Sequence, residues 1–547
     1  MKHKLIYILP FLVLLLLTQC ANMVTPTGGP KDVTPPKVVK ASPANHSTNY
    51  TGRMIELTFD EYISLENANQ NLLFSPPLTK KPDVKLKNKT VVIRFKEDLK
   101  PNTTYTISFG NAIKDHHEGN IFKDYQYSFS TGEVLDSLSL TGTVLDAVTK
   151  KPVEDIYVSL YQESDSLFQQ PTLRMPDYIT KSDKEGKFCF NGLPEGCYLA
   201  FALQDVNANL FYDMPNETVG FLDTLVSLPE ATAPLTLYAF TEVDTTQMVL
   251  EKKLIAEGVL RFVFRHPAHQ VVITADTVPD DGFRILEQWS PDHDTLCWYF
   301  TPGLRDSLRV NLHFPDDTLI NTESRFFLRF RETNRRASKT LKVTSNLRNG
   351  LLMPGEDLLL RFSEPITRIC WHDSSALVCD TTVVAYAIDD TTSHWLSFED
   401  GALRLLTAVN DSASYSLQIT DAVFFSVTGR TNDSIGLRFR RATDRDLGAI
   451  MITVQAPEHR QAVVQLLNSH NHVVATKIVT EEQRLEFKNL LPEKYSLRAI
   501  IDIDRNGRWS TGNFHRGFLP EMMIDYPNPL DVKGGWDIDL DDPWDLH

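Results

Sequence analysis

The densest candidate chemistry in the chain is Asp502-Ile503-Asp504-Arg505-Asn506-Gly507. Asp502, Asp504 and Asn506 place oxygen side chains at alternate positions, with a glycine at the turn. Calcium takes oxygen ligands, and D-x-D-x-N-G is the first half of a calcium loop. Counted from Asp502, however, position 12 is Asn513 rather than a bidentate glutamate, and no helical pattern flanks the loop. An earlier copy, Asp205-Val206-Asn207-Ala208-Asn209-Leu210, has one acid fewer and no glycine. The competing reading is an Asx-rich turn whose side chains bond their own backbone. Because the loop occurs twice, it belongs to a repeated fold rather than to an isolated site. Calcium is the one cofactor the sequence suggests.

Other groups are sparser. Asp115-His116-His117-Glu118, His266-x-x-His269 and His470-x-His472 could each offer two metal ligands, without a spaced third. Serine-nucleophile elbows, H-E-x-x-H pairs, phosphate-cradling glycine loops and dinucleotide fingerprints are absent, so no enzyme is expected. A tripeptide of Asp, Ser or Thr, and an apolar residue or Thr occurs twelve times, where roughly two or three would be expected from average composition. Its hydroxyl residues are Ser137, Ser166, Thr224, Thr245, Thr277, Thr295, Ser307, Thr318, Thr381, Thr391, Ser412 and Ser434. The pattern resembles the O-glycosylation acceptor motif of Bacteroidetes, and it also suits a turn entering a strand. Among the cysteines, Cys189 and Cys197 flank an expected hairpin turn, and Cys370 and Cys379 are close in sequence. Each pair is a disulfide candidate. A glycan-binding surface would need exposed aromatics, and Trp298, Trp371, Trp395 and Trp509 are the residues to inspect.

The elements that must position these groups read as strands. Alternating runs such as Ile55-Glu56-Leu57-Thr58-Phe59 and Tyr105-Thr106-Ile107-Ser108-Phe109 recur between Asn, Asp, Gly and Pro. The chain also repeats itself. Ile55-Glu56-Leu57-Thr58-Phe59-Asp60-Glu61-Tyr62-Ile63 matches Leu358-Leu359-Leu360-Arg361-Phe362-Ser363-Glu364-Pro365-Ile366 at an offset of 303. A second type of unit pairs Leu193-Pro194-Glu195 with Leu491-Pro492-Glu493. Its two copies run on without gaps at an offset of 297, from Asp205 and Asp502 to Gly220-Phe221-Leu222 and Gly517-Phe518-Leu519.

The first unit resembles the SbsA-type bacterial Ig-like domain. The resemblance rests on its opening P…V…SP, on Phe59-Asp60-Glu61, on Leu99-Lys100-Pro101-Asn102-Thr103-Thr104-Tyr105, and on Phe129-Ser130-Thr131-Gly132. The second unit, through Gly142-Thr143-Val144 and Asp183-Lys184-Glu185-Gly186-Lys187-Phe188, resembles the prealbumin-like or carboxypeptidase-regulatory β-sandwich. The expected fold is all-β: Ig-like sandwiches over 36–133, 250–340 (degenerate) and 341–443, and prealbumin-like sandwiches over 137–246 and 446–547.

Before these units stand Lys2 and Lys4 and a 13-residue apolar run, Leu5–Leu17, too short for the about 20 residues that span a bilayer. This reads as a signal peptide over 1–19. Leu17-Thr18-Gln19-Cys20 resembles a bacterial lipobox, although Gln19 stands where Gly, Ala or Ser is usual. Residues 20–35, rich in Pro and Gly, suit a flexible tether and resemble the start of Bacteroidetes lipoproteins. The resemblance implies lipidation at Cys20 and an outer-membrane location, with the periplasmic face ahead of the outer face.

Composition fits this assignment. The 547 residues include 42% hydrophobic and 23% charged, which supports folded cores. The formal charge is −16, and it becomes −18 once residues 1–19 and their two lysines are removed. Such a surface is unsuited to nucleic acid. The function expected is a non-catalytic binding or scaffolding role in the cell envelope, with an envelope protein or glycan as partner. The alternative is an accessory of glycan binding or carbohydrate processing, and less so a hydrolase.

Overall fold

The computed structural model describes residues 32–546, apart from 124, 163–168, 232, 245–246, 270, 276–283, 302–306, 315–323, 330–339, 372–374, 387–395, 400 and 406–412. The expected signal peptide, Cys20 and most of the expected tether lie outside the described residues. Two compact units are present. The first comprises Met1–Thr241 with Asn513–Leu519, and the second Glu242–Gly512 with Pro520–His547.

The first unit begins with a sandwich. Val38–Ser42, Met54–Phe59, Thr90–Arg94 and Asp83–Lys87 form a four-stranded antiparallel sheet in that spatial order. Leu73–Ser75, Thr104–Ser108 and Gln126–Ser130 form a three-stranded sheet. Strand alternation sends Ile55, Leu57, Phe59, Val91 and Ile93 into one core with Tyr105, Ile107, Tyr127 and Phe129. Phe129 is its aromatic hub, stacked on Tyr105 at 5.5 Å and edge-on to Tyr50 at 4.8 Å. The two sequence motifs at the end of this domain clasp each other. Thr131 Oγ1 accepts from Thr103 N and donates to Lys100 O, while Lys100 N donates to the Tyr105 hydroxyl.

The next sandwich follows within the same unit. Its strands lie in the order Tyr178–Lys181, Tyr157–Gln162, Gly196–Gln204, Thr218–Phe221, Leu235–Thr241, Leu138–Asp146 and Lys187–Leu193. The first strand in sequence, Leu138–Asp146, pairs in parallel with the last, Leu235–Thr241. Gly142 sits at the start of that pairing. A Cβ there would lie 2.4 Å from the Phe188 ring and 2.6 Å from Leu235 O. The segment Asn513–Leu519 completes this unit. It folds into a 3₁₀ turn, Phe514–Arg516, capped by Asn513 Oδ1 accepting from Arg516 N and ended by Gly517 in left-handed conformation. Phe514 is fully buried, with its ring 4.8 Å from Phe201, 5.2 Å from Phe221 and 6.0 Å from Tyr212.

The second unit repeats both designs. Val249–Ala256, Val259–Phe264, Thr295–Tyr299 and Leu286–Trp289 form a four-stranded sheet. So do Val343–Ser345, Leu358–Phe362, Ala402–Leu405 and Leu396–Glu399. Both follow the first–second–fourth–third order of the initial sandwich. Each is accompanied by a sheet carrying the matching three-strand run: Val272–Ala275, Ser307–His313, Ser324–Arg329, and Ala376–Cys379, Ser414–Ile419, Ile435–Arg441. The C-terminal sandwich closes as the earlier one does, with Gly448–Gln455 parallel to Asp537–Asp545. A Cβ on Gly448 would lie 2.6 Å from Trp536 O.

Two sequence expectations need correction. Strand Gly196–Gln204 pairs Phe201 with Phe221, whereas Lys494–Asp502 pairs Arg498 with Asp525. The offset is therefore 297 before the loop and 304 after it. Seven extra residues enter the second copy, and the likeness of Gly517-Phe518-Leu519 to Gly220-Phe221-Leu222 is not a structural equivalence. Nor does either cysteine pair form. Cys189, Cys197, Cys297, Cys370 and Cys379 are all free thiols. Cys189 lies on Lys187–Leu193, which pairs with Leu138–Asp146. Cys197 lies on Gly196–Gln204, which pairs with Tyr157–Gln162, Thr218–Phe221 and Val226–Leu228. The intervening turn passes between differently paired strands and does not close a hairpin.

Gly142→Ala is expected to lower unfolding stability by about 1–3 kcal/mol, the usual cost of forcing volume into a packed site. Denaturant titration checks this, with Gly436→Ala as a control, since Gly436 also lies within a strand and a Cβ there would meet nothing within 4 Å.

Candidate functional site

Asp502 ends the strand Lys494–Asp502 and is 1% exposed. Its Oδ1 accepts from Asn506 N at 3.1 Å. Its Oδ2 accepts from Gly507 N at 2.9 Å and from Gln461 Nε2 at 2.7 Å. Asp504 Oδ2 accepts from Ser510 Oγ at 2.7 Å and Asn506 Nδ2 at 2.9 Å. The third group is Glu521, 3% exposed, whose Oε1 accepts from Ile503 N at 2.6 Å and Oε2 from Ser510 N at 2.8 Å. One oxygen from each of Asp502, Asp504 and Glu521 lies within 4.8 Å of the others. Asn506, expected as a ligand, instead turns its Oδ1 to accept from Arg508 N at 2.8 Å.

Electrostatics separate these acids. Burial pushes the Glu521 carboxyl above the ordinary glutamate value, outweighing the N–H groups of Ser510, Ile503 and Asp504. The Ser510 hydroxyl leads in holding Asp504 below the ordinary aspartate value.

The earlier loop has the same plan with two residue types exchanged. Asp205 accepts from Asn209 N at 3.2 Å and Leu210 N at 2.8 Å. Glu217, fully buried, accepts from Val206 N, Asp213 N and Met214 N, each at 3.1 Å. The central carboxylate is Asp213, bound by Asn207 Nδ2 at 2.9 Å and Asn209 Nδ2 at 2.8 Å. Aspartate stands at 213 and asparagine at 207, where the later copy has Ser510 and Asp504. What both loops keep is a carboxylate bridged by an asparagine amide above a buried glutamate. The two glutamates lie 304 apart, so a gapless match at 297 hides them. This pattern supports the Asx-turn reading: the acids act as acceptors for backbone and amide donors that would otherwise be buried unpaired.

The repeated Phe-x-Glu sites differ in a similar way. Glu364, 7% exposed, is ion-paired with Arg430 and accepts from the Thr428 hydroxyl. Its counterpart Glu61 is raised by burial and by the charges of Asp115, Asp60, Asp32 and Glu118. Burial works to raise Asp115 too, but the backbone N–H groups of residues 117–120 outweigh it and hold that carboxyl at about 2.

The histidine clusters are dispersed. The His116 and His117 rings are 5.5 Å apart, and those of His470 and His472 are 6.3 Å apart. His266 Nε2 contacts Asp244 O rather than joining His269. Trp298 is a 1% exposed core residue, Trp371 packs edge-on to Phe424, and Trp509 donates through Nε1 to Glu521 O. Trp395 lies outside the described residues. Among the described residues, the tryptophan that stands in solvent is Trp536, 72% exposed and not foreseen. Of the Asp-Ser/Thr residues, Ser137, Thr224, Thr381 and Ser434 are exposed, and Thr295 and Ser307 are half-buried. All six open a strand or stand within two residues before one. Ser166, Thr245, Thr277, Thr318, Thr391 and Ser412 lie outside the described residues.

Comparison with known proteins places residues 32–131 in the bacterial Ig-like domain family Big_5. No curated protein matches the chain. Solved structures similar to it include the N-terminal part of the bacterial S-layer protein SbsC, at 14% identity over 38% of this chain and 44% of that one, with a TM-score of 0.14. The major pilin subunit BcpA of Bacillus cereus matches at 10% identity over 74% and 98%, with a TM-score of 0.14. The Bacillus anthracis TIE protein matches at 12% identity over 95% and 75%, with a TM-score of 0.13. This chain spans less than half of the SbsC fragment, and at these scores the likenesses carry no functional argument.

Because the raised Glu521 carboxyl binds its proton more tightly folded than unfolded, its contribution to stability falls as pH rises from the ordinary value of 4.5. Glu521→Gln removes that titration. The stability of the wild type relative to this variant is therefore expected to decline as pH climbs above 4.5, read from urea midpoints across a pH series. Millimolar calcium is expected to leave the wild-type midpoint unchanged. A calcium-dependent rise that Asp504→Asn abolishes would instead assign the cluster to a cation.

Proposed function

We propose that this chain is an outer-membrane lipoprotein, acylated at Cys20, with a non-catalytic binding or scaffolding role in the cell envelope. The observation that best supports this reading is the repetition of packing. One four-stranded order recurs three times, and one parallel closure recurs twice. The acids that converge at Asp502, Asp504 and Glu521 are held by backbone and amide donors, which suits a loop support better than acid–base catalysis.

The exposed Ser137, Thr224, Thr381 and Ser434 are the proposed glycan acceptors. They stand clear of the cores, so a sugar there would not have to displace packed side chains. Glycan binding is the second reading, favoured by the exposed ring of Trp536. The partner is proposed to be an envelope protein or glycan.

Cys20→Ala is expected to abolish incorporation of labelled fatty acid and to shift the protein out of the outer-membrane fraction. On intact cells, external protease is expected to leave the wild type whole, as the periplasmic orientation requires. Digestion would place it on the cell surface.

A further inference from the structure

The histidine expected to act with His266 finds a different companion. His269 follows Ala268, whose backbone N–H donates to His293 O at 2.8 Å. His293 ends a tight turn in which its own N–H donates to Ser290 O at 2.9 Å, with φ of 53°. The first bond fixes one loop against the other, and the second shapes the turn that carries His293. The His269 and His293 rings consequently lie 4.4 Å apart, tilted by 42°. Among the described residues neither side chain makes a hydrogen bond or ion pair; His269 is exposed, and His293 is half-buried.

The pair ends a column of rings. His293 stacks on Trp289 at 5.6 Å, and Trp289 stacks on Phe264 at 5.8 Å, which is buried in the core. The column restricts the orientation of His293, so the loss of side-chain freedom that a ligand would impose is partly made on folding.

We propose that His269 and His293 form a two-histidine site for a divalent transition-metal ion of the nickel, copper or zinc class. Neutral imidazole nitrogens suit these ions, and two held within one coordination sphere bind more tightly than either alone. Water fills the remaining positions. Harder ions such as calcium and magnesium prefer oxygen and are excluded by ligand type. Because the metal takes the unprotonated ring, binding weakens on acidification.

The test is titration of the full chain with nickel chloride by calorimetry, alongside tryptophan fluorescence. The wild type is expected to bind one more nickel ion than His269→Gln/His293→Asn. Asparagine is chosen at 293 because it tolerates the left-handed backbone there. Each single variant is expected to weaken that site by roughly tenfold or more, since even outer-shell changes cost metal sites 10–100-fold. Binding should quench Trp289, so Trp289→Phe is expected to lose that quenching. Equal stoichiometry and affinity in the wild type and double variant, with both folded by circular dichroism, would overturn the proposal. So would a nickel site that persists in the double variant and disappears only when the cysteine thiols are blocked.

Discussion

The sandwiches that begin with Leu138–Asp146 and Gly448–Gln455 each depend on the last strand returning to lie parallel beside the first. A parallel neighbour cannot be reached by a tight hairpin, so the whole intervening chain must cross between strands before the sheet can close. Leu138–Asp146 meets Leu235–Thr241 in this way, and Gly448–Gln455 meets Asp537–Asp545. At both junctions the backbone of the closing segment comes so near that only a glycine fits, Gly142 in one copy and Gly448 in the other. Loops between these fixed strands can then vary in length without disturbing the core, because their two ends are already held.

That freedom explains the largest difference between the two copies. Asp205 and Glu217 in one, and Asp502 and Glu521 in the other, receive the same backbone donors. The seven extra residues enter between these acids in the later copy. They form a self-capped turn that contributes Phe514 to the first unit. The buried glutamate tolerates this because it stands just after the insertion while its carboxylate accepts from Ile503 N and Ser510 N before it, so the two ends are held together whatever the length between them. Such a carboxylate is a structural acceptor first. Removing it would leave several buried donors unpaired, the costly outcome in a low-dielectric interior.

Much of this was legible in the sequence, and the limits have physical causes. Alternation revealed strands such as Met54–Phe59 because one face of each is buried and the other is not. A strand within 250–340 was legible in Leu260-Arg261-Phe262-Val263-Phe264, which pairs with Val249–Ala256 on one side and Thr295–Tyr299 on the other. Glu521 was missed because an insertion breaks the register, and a chance Gly-Phe-Leu conceals it. The cysteine pairing failed for a related reason: nearness in sequence says little in a sandwich whose turns pass between differently paired strands. His293 was invisible because its partner His269 lies on another loop, and only the pairing of Val259–Phe264 with Thr295–Tyr299 brings those loops together.

The repeats also show where selection for packing ends. In the repeated sheets, Phe59 and Phe362 both keep to the core, yet the glutamates two residues later face opposite surroundings. Glu364 has Arg430 beside it, which offsets the desolvation of its charge. Glu61 faces Asp115, Asp60, Asp32 and Glu118, and carries the cost as a raised carboxyl. Both copies keep an acid at this position, but not a particular counter-charge. The fold demands the strand, and it leaves the charge around the strand end free to diverge. Divergence of that kind sits on a scaffold whose sheet order is repeated: the cores stay fixed while the loops and strand ends carry separate chemistries.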